Sequence, residues 1–176
     1  MKNDIRKYAK ACRMKLDIKA LSRKIHANLF SLDEWKKVKN IFTYYSVDSE
    51  VNTTDLFIQD KNWYIPRISG KELLVCPYKE NMLELNKYNI PESTLEEVSA
   101  DTIDMIIIPA LAADKNGYRI GYGGGYYDRF IPKLKNDALK VVFVYSDLLY
   151  NELPHDHFDQ KCDIVITDKE IYKINC

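Results

Sequence analysis

The sequence predicts an α/β fold with a mainly parallel sheet flanked by helices. Three observations carry that expectation. Met105 to Ile108 is an unbroken apolar run closed by Pro109, and Leu139 to Tyr145 is a second; strands covered on both faces show such runs rather than alternation. Helical spacing appears before the first strand, at Leu21, Ile25 and Leu29, and again between strands, at Tyr126, Tyr127, Phe130 and Leu134. Between Pro109 and the later helix lies a loop that holds five of the protein's 6 Gly: Gly117, Gly121, Gly123, Gly124 and Gly125.

Taken in order, Lys2 to Arg13 is expected to be helical. Ile5, Tyr8, Ala9, Cys12 and Leu16 form an apolar stripe, with Lys2, Arg6, Lys7, Lys10 and Arg13 around it, the pattern of a solvated amphipathic helix. A second helix carries Leu21, Ile25 and Leu29. Ser31 followed by Glu34 reads as a capping box for a short helix bearing Trp35 and Val38. Asn40 to Val47 is the first strand. Asp48, Ser49 and Glu50 follow its end, then a helix from Thr53 to Gln59 capped by Thr53 or Thr54. Trp63 to Ile65 and Leu73 to Cys76 are short strands with Pro66-Arg67 between them. Lys79 to Leu85 reads as a polar loop or edge strand. Ile103 to Pro109 is the central strand, Ser146 to Leu149 begins a short helix, and Asp163 to Thr167 is the last strand. Pro132 either kinks the helix after the glycine loop or lies near its first turn.

The glycines point to chemistry. Gly is entropically costly, so a chain that otherwise avoids it uses it for a backbone with φ > 0 or for close approach of a ligand. Ligands in open α/β sheets sit beyond the carboxyl ends of strands, and this loop leaves such an end. Its N–H groups, with the first turn of a helix beginning near Gly124, would form an anion site, and Arg119 and Arg129 flank it with positive charge. The expectation is a phosphate-binding loop. It is neither a P-loop, which needs Gly followed by Lys-Ser/Thr, nor the dinucleotide fingerprint, which would need Gly where Tyr126 stands. A flexible linker would carry Ser rather than aromatics and Arg.

Composition narrows the alternatives. The 176 residues fit one domain spanning 1–176, with 46% hydrophobic and 30% charged residues. Lys+Arg and Asp+Glu balance at 26 each, which argues against a nucleic-acid binder, a local basic patch aside. No apolar run approaches the about 18 residues of a membrane span, and the N-terminus reads as a charged helix rather than a signal peptide. Cys12, Cys76, Cys162 and Cys176 lack C-x-x-C spacing, so reduced thiols and a cytoplasmic location are expected. His26, His155 and His157 lack the H-E-x-x-H spacing of a zinc hydrolase. His155-Asp156-His157-Phe158-Asp159 could by composition suggest a metal site.

The segment Gly117-Tyr-Arg-Ile-Gly-Tyr-Gly-Gly-Gly-Tyr-Tyr-Asp-Arg-Phe130 resembles the signature of the 5-formyltetrahydrofolate cyclo-ligases, also called 5,10-methenyltetrahydrofolate synthetases. Pro109 to Asp114 resembles the family's Pro-Gly-x-Ala-Phe-Asp, with Ala110 and Ala113 in place of its Gly and Phe. Lys2 and Arg6 match its opening Lys-x-x-x-Arg, Glu50-Val-Asn-Thr53 its Glu-x-x-Thr, and Pro66-Arg67 its Pro-Arg. Tyr88-Asn-Ile-Pro-Glu92 resembles a linker, and Pro154, Asp163 and Thr167 resemble the tail, which makes His155 and His157 loop residues.

The resemblance implies a three-layer fold like that of sugar-phosphate isomerases and CoA-transferases. It implies ATP- and Mg²⁺-dependent conversion of 5-formyltetrahydrofolate, with or without a polyglutamate tail, to 5,10-methenyltetrahydrofolate, by a monomer with no nucleic-acid or membrane partner. ATP contacts are implied for Lys2, Asn3, Asp4, Ile5 and Arg6, and for Arg119, Gly121, Tyr122, Gly123, Gly124, Gly125, Tyr126 and Tyr127. Lys2, Arg6 and Arg119 would position the phosphates, with no acid–base residue required. Substrate contacts are implied for Tyr45, Glu50, Arg67, Tyr88, Tyr122 and Tyr126. A carboxylate such as Glu50 can accept both N–H groups of the pterin's amidine-like edge. Arg67 could instead make a structural ion pair, and Tyr88 could simply pack in its loop. Asp128 and Asp163 match metal-associated positions; each could also be a helix-start or strand-end Asp. Two rivals stand beside this. Another enzyme on the same fold would keep the loop without needing Lys2, Arg6 or Glu50, and a non-catalytic binder would release no ADP.

Overall fold

The structure, a computed structural model, describes residues 1–174. Four α-helices are present: α1 (Lys2–Arg13), α2 (Ile18–Ser31), α3 (Asp33–Lys37) and α4 (Tyr126–Phe130). The strands are β1 (Asn40–Thr43), β2 (Asn62–Ser69), β3 (Glu72–Pro77), β4 (Leu83–Leu85), β5 (Pro91–Ser93) and β6 (Met105–Ile108). They continue with β7 (Ala112–Asp114), β8 (Arg119–Ile120), β9 (Leu139–Phe143), β10 (Leu149–Tyr150), β11 (Ile164–Ile166) and β12 (Ile171–Lys173).

Seven strands form one sheet in the order β12-β11-β9-β6-β1-β2-β3. The five inner strands are mutually parallel, and β12 and β3 close the edges antiparallel. The run Met105–Ile108 occupies the centre, all four residues being buried, as a run without polar alternation requires. Parallel partners share a face, so the register places Ile41, Trp63 and Phe143 on one side and Phe42, Tyr64 and Val142 on the other. His26 of α2 lies 6.3 Å from Phe143 and Trp35 of α3 lies 6.2 Å from Trp63, whereas Phe130 of α4 lies 5.0 Å from Phe42. Helices therefore cover both faces, as expected. A second sheet, β10-β7-β8, packs Ala112 and Ile120 with Leu153 and Ile5, and α1 lies against it.

Local expectations failed where side chains found other partners. The first strand stops at Thr43 instead of Val47, and Thr54–Ile58 is a 3-10 turn. Thr53 does not cap that turn, because its hydroxyl donates to the Tyr44 carbonyl at 2.6 Å; Asn52 accepts from the Asp55 N–H instead. The capping box is absent: Ser31 ends α2 and donates to the Asn28 carbonyl, and Glu34 pairs with Lys173. Pro66-Arg67 lies inside β2, not between strands. Pro is tolerated there because β2 runs past its register with β1, which ends at Tyr64. In α1, Tyr8 is exposed and Arg13 buried, the reverse of the expected stripe. Pro132 sits in a 3-10 turn that ends α4. Lys79 to Leu85 ends in β4, which pairs with β5. Cys12, Cys76 and Cys162 are free thiols; Cys176 lies outside the described residues.

Candidate active site

A cleft of about 700 Å³ opens at the carboxyl ends of β1, β2 and β6, where open α/β sheets place ligands. The glycine loop forms one wall from Gly121 through Gly125. Gly123 has φ +104° and Gly125, the N-cap of α4, has φ +66°. Side chains rarely adopt such conformations, so both positions require Gly. Gly117 belongs elsewhere: it forms the β7–β8 turn, held by the buried Asp114, whose Oδ1 accepts from Asn116 and Tyr118. Because α4 has only five residues, anion binding by this loop rests on its own peptide groups and on neighbouring cations rather than on a helix.

Those cations come from α1 and β8. Lys2, Arg6 and Arg119 line the cleft. Arg6 Nε donates to the Gly121 carbonyl at 2.9 Å, and a Cβ on Gly123 would lie 3.6 Å from its guanidinium, so Arg6 runs along the loop. Lys2 Nζ is 2.6 Å from carboxylate oxygens of both Asp156 and Asp159. Burial alone would lower the Lys2 pKa; the two carboxylates outweigh it and hold it above its ordinary value. Burial would likewise raise Asp159, but Lys2 and the Asp156 N–H hold its carboxyl below the usual range. Arg119 Nη1 reaches Asp128 Oδ1 at 3.1 Å, and the Gln160 N–H donates to the same oxygen at 3.0 Å. Positive and negative groups are thus interleaved where a metal–polyphosphate complex would meet both.

The cleft is also lined by Tyr44, Tyr45, Val47, Asp48 and Glu50 after β1, with Tyr122, Tyr126, Tyr127 and Tyr88. Glu50 Oε2 accepts from the Val47 N–H at 2.9 Å. Burial, its largest influence, lifts the Glu50 carboxyl above its ordinary value against the opposing pull of that N–H, Tyr122 and Arg13. Burial and the nearby Glu50 push Tyr122 up to about 12 and raise Tyr127 and Tyr44. These phenols are hydrogen-bonding groups, not bases. Pro66, Ile68, Leu73 and Ile90 add an apolar wall.

Several expected site residues lie elsewhere. Arg67 is outside the cleft, donating to the Ser93 and Leu95 carbonyls at 3.0 and 2.7 Å and so tying β2 to the β5 segment. Of the run 2–6, only Lys2 and Arg6 reach the cleft. Asn3 accepts from Arg6, Asp4 pairs with the N-terminus, and Ile5 packs against the small sheet. Arg129 flanks the loop but does not line the cleft: it is a strut that donates to the Gly124 carbonyl at 2.9 Å and to the Lys71 carbonyl at 2.9 Å. Asp163 stands at the amino end of its strand, accepting the Lys140 N–H at 2.8 Å and pairing with Lys140 Nζ. Asp104 does the same for β1, so Asp163 is a strand-start residue away from the cleft.

Beside Asp128, Asp156 and Asp159 line the cleft; they lie in the segment whose histidines the resemblance of the tail made loop residues. His155 stacks on Tyr118 at 3.7 Å, and neither it nor His157 lines the cleft. Oxygen donors of this kind suit Mg²⁺, which keeps most of its waters. Among the described residues no cluster of three or more ligating side chains exists, so one or two carboxylates plus phosphate oxygens would hold the ion. Arg13 was missed too. Its signal was spacing: Lys2, Arg6, Ala9 and Arg13 share one face of α1.

Two solved structures share this architecture. A 5,10-methenyltetrahydrofolate synthetase from Aquifex aeolicus superposes with a TM-score of 0.88 at 32% identity, covering 99% of this chain and 93% of that one. One from Mycoplasma pneumoniae gives 0.77 at 25% identity, covering 95% and 98%. The chain is therefore an α/β protein of the methenyltetrahydrofolate synthetase type, a class of ring-forming ligases. The profile of the 5-formyltetrahydrofolate cyclo-ligase family matches residues 1–168. A probable 5-formyltetrahydrofolate cyclo-ligase of Schizosaccharomyces pombe is 31% identical, over 89% of this chain and 88% of that protein; one from Haemophilus influenzae is 30% identical, over 78% and 88%. The chain belongs to the 5-formyltetrahydrofolate cyclo-ligase family.

Proposed function

We propose that the chain converts 5-formyltetrahydrofolate to 5,10-methenyltetrahydrofolate at the expense of ATP, with Mg²⁺, as one domain spanning 1–176. The observation that supports it most is the lining of the cleft. One cleft brings together a glycine loop with Lys2, Arg6 and Arg119 and a half-buried carboxylate among tyrosines. The triphosphate meets the loop peptides, Arg6 and Lys2; the pterin edge meets Glu50; and the flat rings lie among Tyr45, Tyr88, Tyr122 and Tyr126.

An N-formyl group is an amide whose oxygen leaves badly. Its oxygen attacks the γ-phosphorus and ADP departs; N10 then attacks the activated carbon, loses its proton, and the C–O bond breaks to release phosphate. The protein's part is to align the formyl oxygen with the phosphorus and to offset charge on the transferring group. Arg6 and Arg119 do the second from fixed positions along and behind the loop. Asp128 with Asp159 would hold Mg²⁺, which supplies further neutralisation of phosphate charge. No acid–base pair is required, because the nucleophile, N10, is already placed on the substrate beside the formyl carbon.

This reading takes the enzyme as a cytoplasmic monomer acting on free folate, with or without a polyglutamate tail. No helix of the described residues is long and apolar enough to cross a membrane. The test is direct. Protein, Mg·ATP and 5-formyltetrahydrofolate are mixed, and the methenyl chromophore and ADP are followed together. Equal formation of both supports the reading. Binding of both ligands with no ADP would mark a non-catalytic binder and overturn it.

A further inference from the structure

Arg13 is 2% exposed at the end of α1. Its Nη1 donates to the Tyr122 hydroxyl at 3.0 Å, and its Nη2 donates to the Ala110 carbonyl, just beyond β6. The guanidinium lies 5.7 Å from the Tyr145 ring centre. Its Nε is buried with no partner among the described residues. A buried charge with an unmet donor is not how a fold gains stability; an apolar side chain of similar volume would pack there without desolvating an ion. Fixed at two points, the planar guanidinium sets the position of Tyr122.

Tyr122 is the aromatic residue between Gly121 and Gly123, so its backbone belongs to the phosphate loop while its hydroxyl faces Glu50 at the folate end. We propose that Arg13 is a positioning residue for folate recognition, acting through Tyr122 to orient Glu50 and keep it ionised for the pterin edge. The groups facing Glu50 are Tyr44, Asp48, Tyr122, Tyr127, Tyr145 and Arg13. Arg13 is the only cation in that set, and Asp48 is of like charge. Removing Arg13 therefore removes a charge that favours the ionised carboxylate. Arg13 shares a helix face with Lys2 and Arg6, so one stripe of α1 serves both ends of the cleft: its first two cations serve the triphosphate and its last one the folate.

The inference rests on the folate reading of the cleft given above. It is tested on the full chain with Arg13→Met, Arg13→Lys, Tyr122→Phe and the Arg13→Met/Tyr122→Phe pair, each checked by circular dichroism. Arg13→Met should raise the KM for 5-formyltetrahydrofolate about tenfold and leave the KM for ATP within about twofold. Arg13→Lys, which keeps the charge but cannot span Ala110 and Tyr122, should recover part of the loss. The double variant should be no worse than the more damaged single one, because both act through one contact. The acid limb of folate binding should move to higher pH in Arg13→Met. Equal losses in both KM values, additive single effects or an unmoved acid limb in Arg13→Met would overturn the inference; if Arg13→Met does not fold, the same KM split is read from Arg13→Lys and the acid limb from Tyr122→Phe, which removes the hydroxyl that also favours ionised Glu50. A wild-type protein that makes no methenyl product would instead overturn the proposed function, which separates the two failures.

Discussion

Arg119 and Asp128 form an ion pair behind the glycine loop, 3.1 Å apart, with the Arg119 side chain only 5% exposed and that of Asp128 23%. The pair joins β8, before the loop, to α4, after it, and Gln160 completes it from the segment carrying Asp156 and Asp159. The N-cap of α4 is Gly125, so Asp128 does not cap the helix. It does lie in the first turn of α4, the helix-start position that the sequence also allowed.

Asp128→Asn keeps an oxygen for the Gln160 N–H but loses the charge that faces Arg119. With so much of the Arg buried, the expected loss of stability is about 1–3 kcal/mol. Turnover should fall far more than the folded fraction, by about 100-fold or more, with a higher Mg²⁺ requirement. Rate against Mg²⁺ on folded variant decides it. A wild-type Mg²⁺ dependence with normal turnover would restrict Asp128 to holding Arg119.

Gly123→Ala addresses the loop. Its new Cβ would have room, the nearest atom being the Arg6 guanidinium carbon at 3.6 Å, but φ +104° is strained for any side chain. The loop must therefore shift, at a cost of about 1–3 kcal/mol, and its peptide groups leave the triphosphate. The expected result is ATP affinity weaker by about tenfold or more, with Tm lower by about 2–10 °C and the chain still folded at assay temperature. Unaltered ATP titration in the folded variant would show that the loop does not need this conformation to bind.

The large elements were legible because their signals are redundant. Met105–Ile108 could only be a covered strand, and five glycines beside Arg119 and the aromatic pair could hardly be a linker. What escaped was decided by partners distant in sequence. Ser31 met Asn28 before it could cap a helix, and Arg67 met the carbonyls of Ser93 and Leu95 instead of a ligand. A strand-start Asp and a cleft Asp look alike in sequence, so Asp163 was expected at the cleft, where Asp159 stands instead. Arg13 was read as a solvated flank because charge at a helix end is normally exposed; its burial follows from Tyr122, more than a hundred residues on.

Glu50 ties function to pH. Its folded-state pKa is raised above 4.5, chiefly by burial. A carboxyl raised on folding binds its proton more tightly in the folded chain, so ionised Glu50 opposes folding above that raised pKa, and the opposition lifts as pH falls through it. Recognition of the pterin edge needs the ionised form. Folate affinity should therefore fall as pH drops through a value above 4.5, while ATP affinity holds. Glu50→Gln keeps an acceptor for Val47 but cannot accept two N–H groups with charge. It should weaken folate binding about tenfold or more, erase the acid limb and raise Tm at pH 7. Calorimetric titration of each ligand between pH 5 and 8 reads all three; loss of ATP affinity equal to that of folate would place Glu50 at the wrong end.

Asp159 and Asp163 give the sharpest contrast, being four residues apart in different surroundings. Asp163 accepts the Lys140 N–H at 2.8 Å and pairs with Lys140 Nζ at 2.9 Å, where β9 and β11 begin. Asp159 faces the cleft, with one oxygen on Lys2 at 2.6 Å and on the Asp156 N–H. A triphosphate with Mg²⁺ offers Lys2 phosphate oxygens and offers Asp159 a cation, so each could exchange its partner for a ligand. Lys140 and Asp163 have no such alternative. Asp163→Asn keeps the N–H acceptor and loses a partly exposed ion pair, which should cost about 1 kcal/mol or less of stability and leave the Mg²⁺ dependence of turnover unchanged. Asp159→Asn should change stability little as well, since the Lys2 pair is also partly exposed, yet raise the Mg²⁺ needed for half-maximal rate several-fold. The measurement is the rate at fixed ATP and folate across a Mg²⁺ series, with Tm of each variant taken alongside. A Mg²⁺ requirement that rises in Asp163→Asn and not in Asp159→Asn would return the metal to the strand start and remove it from the segment that carries Lys2's partners.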